Sequence, residues 1–273
     1  MSTITPTITR AGQLGELRLE LAQRGDSTAL RDRYWSAPFG PVWANHPGQD
    51  GTAELQITNP AGGVLGGDAY TMRVTLGTDS SATLLSQGAN RIYRGPPASQ
   101  RATFHVEDGA LLEYLPHHLI PFAGSHYHSE NDFRLSAGST LITWEAHSAG
   151  RISREERFAF DRLCTRTRIT RDGLPLIVEG LDLPGGGEPF AGYDYTSTLY
   201  VCSPGELGGL AGELHSFLDA LPGTLASASA PERGLCTGRV LARNAPALYR
   251  ALNGSRHVIR RYLSLAPPVR DLR

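Results

Sequence analysis

The chain has no lysine; every one of its 26 basic residues is arginine. A Walker A phosphate loop and a pyridoxal Schiff base both need a lysine amine, so neither is available. Formal net charge is −1, which gives no general attraction to nucleic acid or to anionic lipid. Cysteine is scarce. Cys164, Cys202 and Cys236 are far apart with no Cys-x-x-Cys pair, which argues against a zinc-finger or thioredoxin-type site. A sparse odd set of cysteines reads as free thiols in a reducing compartment. No stretch approaches the ~20 apolar residues of a membrane helix. Met1 to Arg10 is Thr-rich and lacks the apolar core of a signal peptide. A soluble, cytoplasmic chain is the expectation. Also missing are a Gly-x-Ser-x-Gly elbow, a His-Glu-x-x-His helix, a Gly-x-Gly-x-x-Gly loop and a strict fixed-period repeat.

What is present is short-range alternation. Leu17, Leu19 and Leu21 alternate with polar residues, as do Tyr70, Met72, Val74 and Leu76, then Phe104 and Val106, then Phe158 and Phe160. In Thr165 to Arg171 the alternation places a row of arginines on one face. Period two over short runs means half-buried strands. Turn signals recur between them, including Asn59-Pro60, Asp108-Gly109 and Asp172-Gly173. More than ten strands follow with no amphipathic helices between them, which excludes a βαβ architecture. Antiparallel sheets, a sandwich and a coiled, solenoid-like stack all remain open. Two helices are predicted late, over 205–221 and 245–265, the second weakened at Asn253-Gly254. Its arginines are expected on exposed faces. Pro222 to Pro231, rich in alanine and serine, reads as a loop, as does Leu183 to Pro189. One domain is expected over 12–267, with flexible tails at 1–11 and 268–273.

Two groups of residues could carry chemistry. The first is the glycine-rich Pro60-Ala61-Gly62-Gly63-Val64-Leu65-Gly66-Gly67-Asp68, followed by a strand. Gly62, Gly63, Gly66 and Gly67 allow close backbone approach, and Asp68 is either a turn cap or a ligand. The second is six histidines between His105 and His147, interleaved with carboxylates. His126 and His128, two apart, share a face of any strand. Imidazole with carboxylate suits a transition metal, so a metal-dependent hydrolase built on this cluster is one reading. A structural β-scaffold is another.

The ordered motifs resemble the urease accessory protein family UreD, also called UreH. The glycine segment ending at Asp68 is similar to that family's Pro-x-Gly-Gly-x-x-Gly-Gly-Asp. In order come Leu84 to Arg94, Leu112-Glu113-Tyr114-Leu115-Pro116, Ile120-Pro121-Phe122-Ala123-Gly124, Trp144-Glu145, Gly150-Arg151, Glu156-Arg157-Phe158 and Leu176-Ile177-Val178-Glu179. Departures are Asn90 and Arg91 for the usual hydroxyl residue and lysine, His117-His118, and Glu155 in place of a glycine. That last change puts its turn in question, because positive φ disfavours glutamate.

The resemblance implies a mainly β, single-domain fold: many short strands in a helical, solenoid-like stack, with two α-helices in the C-terminal third. It implies a non-enzymatic urease maturation factor. Such a protein binds apo-urease and UreF, and UreG through UreF, and passes nickel(II) along a polar internal tunnel without holding it tightly. Asp68, Asn90, Glu145 and Glu179 carry over onto that path, with Glu113 and Glu156 as weaker members. Oxygen ligands suit transit, since a full His/Cys site would trap the ion.

Overall fold

The computed structural model describes residues 12–272; the expectations for residues 1–11 lie outside that range. The elements in chain order are β1 (Leu14–Arg24), β2 (Ser27–Trp35), β3 (Ala44–Asn45), β4 (Ala53–Ile57), β5 (Ala69–Leu76), β6 (Ser81–Ser86), β7 (Asn90–Ile92), β8 (Ala98–Val106), β9 (Leu111–Leu115), β10 (Leu119–Pro121), β11 (His126–Leu135), β12 (Thr140–Ser148), β13 (Arg162–Arg171), β14 (Leu174–Pro184) and β15 (Tyr195–Cys202). Helix α1 (Gly208–Asp219), β16 (Thr224–Glu232), β17 (Leu235–Ala242) and helix α2 (Ala245–Tyr262) complete the chain.

The strands form a seven-stranded sheet, β14-β13-β11-β8-β5-β1-β2, and a ten-stranded sheet, β16-β17-β15-β12-β9-β6-β4-β3, with β7 and β10 as a short side branch. Between β4 and β13 the long strands alternate between the two sheets. Each pairs in parallel with the strand one turn earlier: β5 with β8, β8 with β11 and β11 with β13 in one sheet, and β4 with β6, β6 with β9 and β9 with β12 in the other. That is the solenoid-like coil. Parallel neighbours arise here without crossover helices because the chain returns through the opposite sheet. The coil is closed at each end by antiparallel pairs, β1 with β2 and β13 with β14, and by β15 beside β12 with β17 beside β15.

Two cores result. One lies between the sheets and takes the alternating residues of the early strands, including Leu17, Leu19, Tyr70, Met72, Val74 and Phe104. The other lies between the ten-stranded sheet and the two helices. Strand β12 serves both: Leu141 faces the first core, while Ile142 and Trp144 face the second.

Several expectations are corrected. Residues 224–232 form β16 rather than a loop. Ala226, Ala228 and Ala230 pack on the second core, and α1 lies against this strand. Small side chains are what a helix packed closely on an edge strand leaves room for. Pro231 is accommodated at the register shift between Ser229 and Glu232. Phe158 and Phe160 are buried but lie outside any strand; Phe158 has φ +51° and Phe160 packs edge-on against it. Helix α2 runs unbroken through Asn253-Gly254. A Cβ on Gly254 would stand 2.1 Å from the Phe217 ring of α1, so the glycine lets the helices cross closely. Asn253 bonds the backbone of Leu272 in both directions. Residues 268–272 therefore lie along α2, with Leu272 buried, where the sequence suggests a free tail. Arg256 and Arg260 are buried rather than exposed. Glu155 does adopt positive φ, +60°, as the exposed cap of a short 3-10 helix over Ile152–Arg154, so the turn survives the glutamate.

Candidate functional site

The core-facing side of the seven-stranded sheet carries a row of polar residues where a β-sandwich normally places aliphatic ones. Tyr70 on β5 is the cross-strand neighbour of Gln100 on β8, Gln100 of Ser129 on β11, and Ser129 of Thr165 on β13. The next row toward the far edge contains Asn131, Thr167 and Glu179. With strands ~4.8 Å apart, β5 to β13 spans about 14 Å along the coil axis. Parallel, unshifted pairing sets the row, because it keeps side chains of equal parity in line.

The facing sheet supplies the counterpart. Glu145 on β12 neighbours Thr198 on β15, which neighbours Arg239 on β17. Glu145 reaches across the gap between the sheets. Its Oε1 accepts from Asn131 Nδ2 at 3.1 Å and from the Thr167 hydroxyl, and its Oε2 accepts from Thr165 Oγ1 at 3.3 Å. Glu179 Oε1 takes Thr198 Oγ1 at 3.5 Å and the Arg239 guanidinium at 3.0 Å. Its Oε2 is buried and accepts no hydrogen bond.

Four buried phenols accompany the row: Tyr70, Tyr114, Tyr127 and Tyr200. Burial pushes each pKa up. Nearby carboxylates push further, Asp68 on Tyr70, Glu145 on Tyr114, and Glu145 with Glu179 on Tyr200. The phenols therefore remain neutral hydroxyls beside the acids.

At the β5 end the row opens into a cavity of about 430 Å³ lined by Tyr70, Gln100, Tyr114, Asn90 and His117, with Gly62 and Gly63 on its wall. A second cavity, of about 590 Å³, shares Ser86, Gln87 and His117 with it and is bounded by 269–272.

Asp68, by contrast, is a cap. It is 2% exposed. Oδ1 accepts from Gln13 N at 2.8 Å, and Oδ2 accepts from Leu65 N at 2.8 Å and from the Tyr70 hydroxyl. The carboxylate closes the glycine turn and ties it to the segment entering β1. Two glycines make that geometry possible: Gly67 has φ +87°, and a Cβ on Gly66 would lie 2.5 Å from the Cα of Gly95. Asp68 meets the cavity only through Tyr70, whereas Asn90 lines it directly.

The structure brings together Glu145 and Glu179, and places Asp68 and Asn90 at the other end of the row. Two of the sequence candidates lie elsewhere. Glu113 is fully buried on the opposite face of the ten-stranded sheet, where Arg256 and Arg260 of α2 reach it at 2.5 and 3.0 Å and Thr83 donates at 2.8 Å. These cations hold its carboxyl below the usual glutamate range although burial alone opposes it. Glu156 clips a loop, pairing with Arg151 and accepting from Ala123 N at 3.3 Å.

The histidines separate into two sets. His126 and His128 lie on β11, with His128 paired to Glu130 at 3.1 Å. His118 and His147 are buried, and their pKa values fall to about 4 through loss of solvation, that of His118 also through His117 and His147. Among the described residues no three of His, Cys, Asp and Glu converge as a set able to hold a metal. The donors that do converge are carboxylate, amide and hydroxyl oxygens, a set that binds a divalent ion loosely.

Reading the sequence by hydrophobic alternation takes Tyr70 for a core residue alone and passes over Gln100, Ser129, Asn131, Thr165, Thr167 and Tyr200. One signal was present. Residues 165–168 are polar at every position, so β13 has no apolar face there, and Thr165 and Thr167 are nonetheless buried.

A family model described as UreD urease accessory protein matches residues 13–273. A Streptomyces griseus protein named urease accessory protein UreD 2 is 34% identical over 96% of this chain and 94% of its own length. A Citrobacter koseri urease accessory protein UreD is 34% identical over 72% of this chain and 70% of its own. An Alkalilimnicola ehrlichii urease accessory protein UreD is 31% identical over 94% of this chain and 89% of its own. The chain belongs to the UreD family of urease accessory proteins.

Proposed function

We propose that this chain is a non-catalytic urease maturation scaffold that conducts nickel(II) between partner proteins through the polar layer between its sheets. The observation that carries the reading is the row Tyr70, Gln100, Ser129, Thr165, ending on Glu145 and Glu179. An inter-sheet space in a protein of this class is ordinarily filled by aliphatic side chains, and burying carboxylates there costs free energy unless polar partners or an ion compensate. Neutral phenols and threonines supply oxygens without closing a high-affinity site. Nickel is cargo in this reading, and no cofactor is held tightly.

The partners are apo-urease, UreF, and UreG through UreF. Among the described residues no helix is long and apolar enough to cross a membrane, so nothing in the helices opposes a soluble complex. The hydrolase reading gains no support from the histidines, which fall into the two separate sets described above.

The test is urease activation in cells that carry variants of this chain. Glu145→Gln and Glu179→Gln keep side-chain shape while removing charge. Each is expected to lower nickel loading of urease by ~10-fold or more, given how much weaker an amide oxygen holds a divalent ion than a carboxylate. Co-purification with urease and UreF should be unchanged. Full nickel loading with both substitutions present would overturn the path.

A further inference from the structure

The far end of the polar row is occupied by a cation. Arg239 NH2 sits 3.0 Å from Glu179 Oε1, while its side chain is 69% exposed. It is the only ion pair of Glu179 among the described residues. It sets an exposed guanidinium on a less exposed carboxylate, as Arg270 does on Glu54, and it contrasts with the pairs that moor α2. Arg256 and Arg260 are themselves buried on Glu113 and fasten a helix. Arg239 fastens nothing of that kind: it is an exposed residue of β17, between β15 and β16, and holds one oxygen through one nitrogen. The other oxygen of Glu179 is buried and meets no cation, and the Tyr200 hydroxyl is the neutral group beside this carboxylate. Thr198 shares Oε1 at the limit of hydrogen-bond distance, 3.5 Å.

Resting on the nickel-path reading above, we propose that Arg239 is a removable plug at this end of the path, competing with the transported divalent cation for Glu179. A guanidinium on a carboxylate repels a doubly charged ion from the same oxygens, and the repulsion is strong in the partly desolvated space between two sheets. With Arg239 in place, Glu179 offers the ion one buried oxygen beside a positive charge. With Arg239 swung outward, both oxygens are clear of the cation, and the Thr198 and neutral Tyr200 hydroxyls remain beside them. Opening breaks one single-point contact of a largely exposed side chain, and such contacts are weak. The plug therefore resists passive entry of ions without locking the path. Arg239 is a positioning residue in this scheme, since it acts on the cargo through Glu179.

The experiment is calorimetric titration of the purified full chain with nickel chloride. Arg239→Gln is expected to tighten nickel binding by roughly tenfold, the effect of removing one nearby positive charge. Arg239→Lys retains charge and is expected to behave as the parent chain. The gain should vanish in the double variant Arg239→Gln/Glu179→Gln. Thermal melting of each variant checks that the fold is intact, and a purely structural role for Arg239 would move melting without moving affinity. Unchanged nickel affinity in Arg239→Gln, or a gain that persists without the Glu179 carboxylate, overturns the plug. The two readings fail separately. If Glu179→Gln lowers urease activation while Arg239→Gln leaves affinity unchanged, only the plug is wrong. If the Glu145→Gln/Glu179→Gln double variant supports full activation, the path itself is wrong and the plug falls with it.

Discussion

Asp68 shows how one residue can carry two readings. Locally it is an aspartate at the end of a glycine turn, and by family resemblance it is a candidate member of the proposed nickel path. Its two oxygens are committed to Gln13 N, Leu65 N and the Tyr70 hydroxyl. Removing them strands buried donors, so Asp68→Ala should cost roughly 2–4 kcal/mol of stability, read as a lower Tm. A melting curve matching the parent chain would show that the cap is dispensable. Loss of urease activation in Asp68→Ala therefore has to be read against its stability, which makes the charge-neutral variants of Glu145 and Glu179 cleaner probes of transit. Glu155 gives a residue-scale prediction of opposite sign. It is exposed, at φ +60°, in a conformation that costs a side-chain-bearing residue ~1–2 kcal/mol. Glycine recovers that cost less its own entropy, so Glu155→Gly should raise stability by about 0.5–1 kcal/mol, checked by chemical denaturation.

At the scale of elements, α2 is governed by what it packs against. Propensity alone favours Gly254→Ala by about 1 kcal/mol. The Cβ would meet the Phe217 ring at 2.1 Å, and overpacking costs ~1–3 kcal/mol. The variant is expected to melt lower than the parent despite the better helix former. The same helix is moored by Arg256 and Arg260 on Glu113. Glu113→Ala leaves two buried guanidinium groups without their carboxylate and should cost ~3–5 kcal/mol, seen as a lost or strongly lowered unfolding transition. The sign of the pH effect follows from the depressed pKa of Glu113. Its stabilisation is complete above the ordinary glutamate value of the unfolded chain. It is lost as pH falls through the lower folded-state value.

For the molecule as a whole, the coil turns a sequence of short strands into two long cores, and the second core joins the coil to the helices. His118 and His147, both buried, couple this arrangement to pH. Their folded-state pKa values are about 4 against an ordinary 6.5. Below pH 6.5 the unfolded chain binds protons that the folded chain refuses, so stability declines as pH falls from 6.5 to about 4. The loss is on the order of 3 kcal/mol per histidine. Tm should drop across that window, ahead of the Glu113 effect at lower pH. Replacing both histidines by glutamine should flatten the upper part of the curve.

Much of the fold was legible because period-two alternation depends only on neighbouring residues. Leu17 to Leu21, Tyr70 to Leu76 and Phe104 to Val106 lie in strands and face a core, and both late helices were visible in their leucine spacing. Alternation says which residues share a face; it is silent on which strand lies beside which. Parallel pairing through the opposite sheet was therefore outside its reach, as was the strand at 224–232, whose alanines and serines gain meaning only under α1. The candidate site divides along the same line. Asp68, Asn90, Glu145 and Glu179 could be named from motifs in order, because family motifs are linear. That Glu113 anchors a helix, that Asp68 caps a turn, and that tyrosines and threonines from five strands line one row were settled by register and by which face of each sheet is covered. The sequence by itself determined the family, most of the strands and the two helices. Tertiary structure decided which buried polar groups meet, since hydrogen bonds between distant segments exist only once the coil has placed them within about 3 Å of one another.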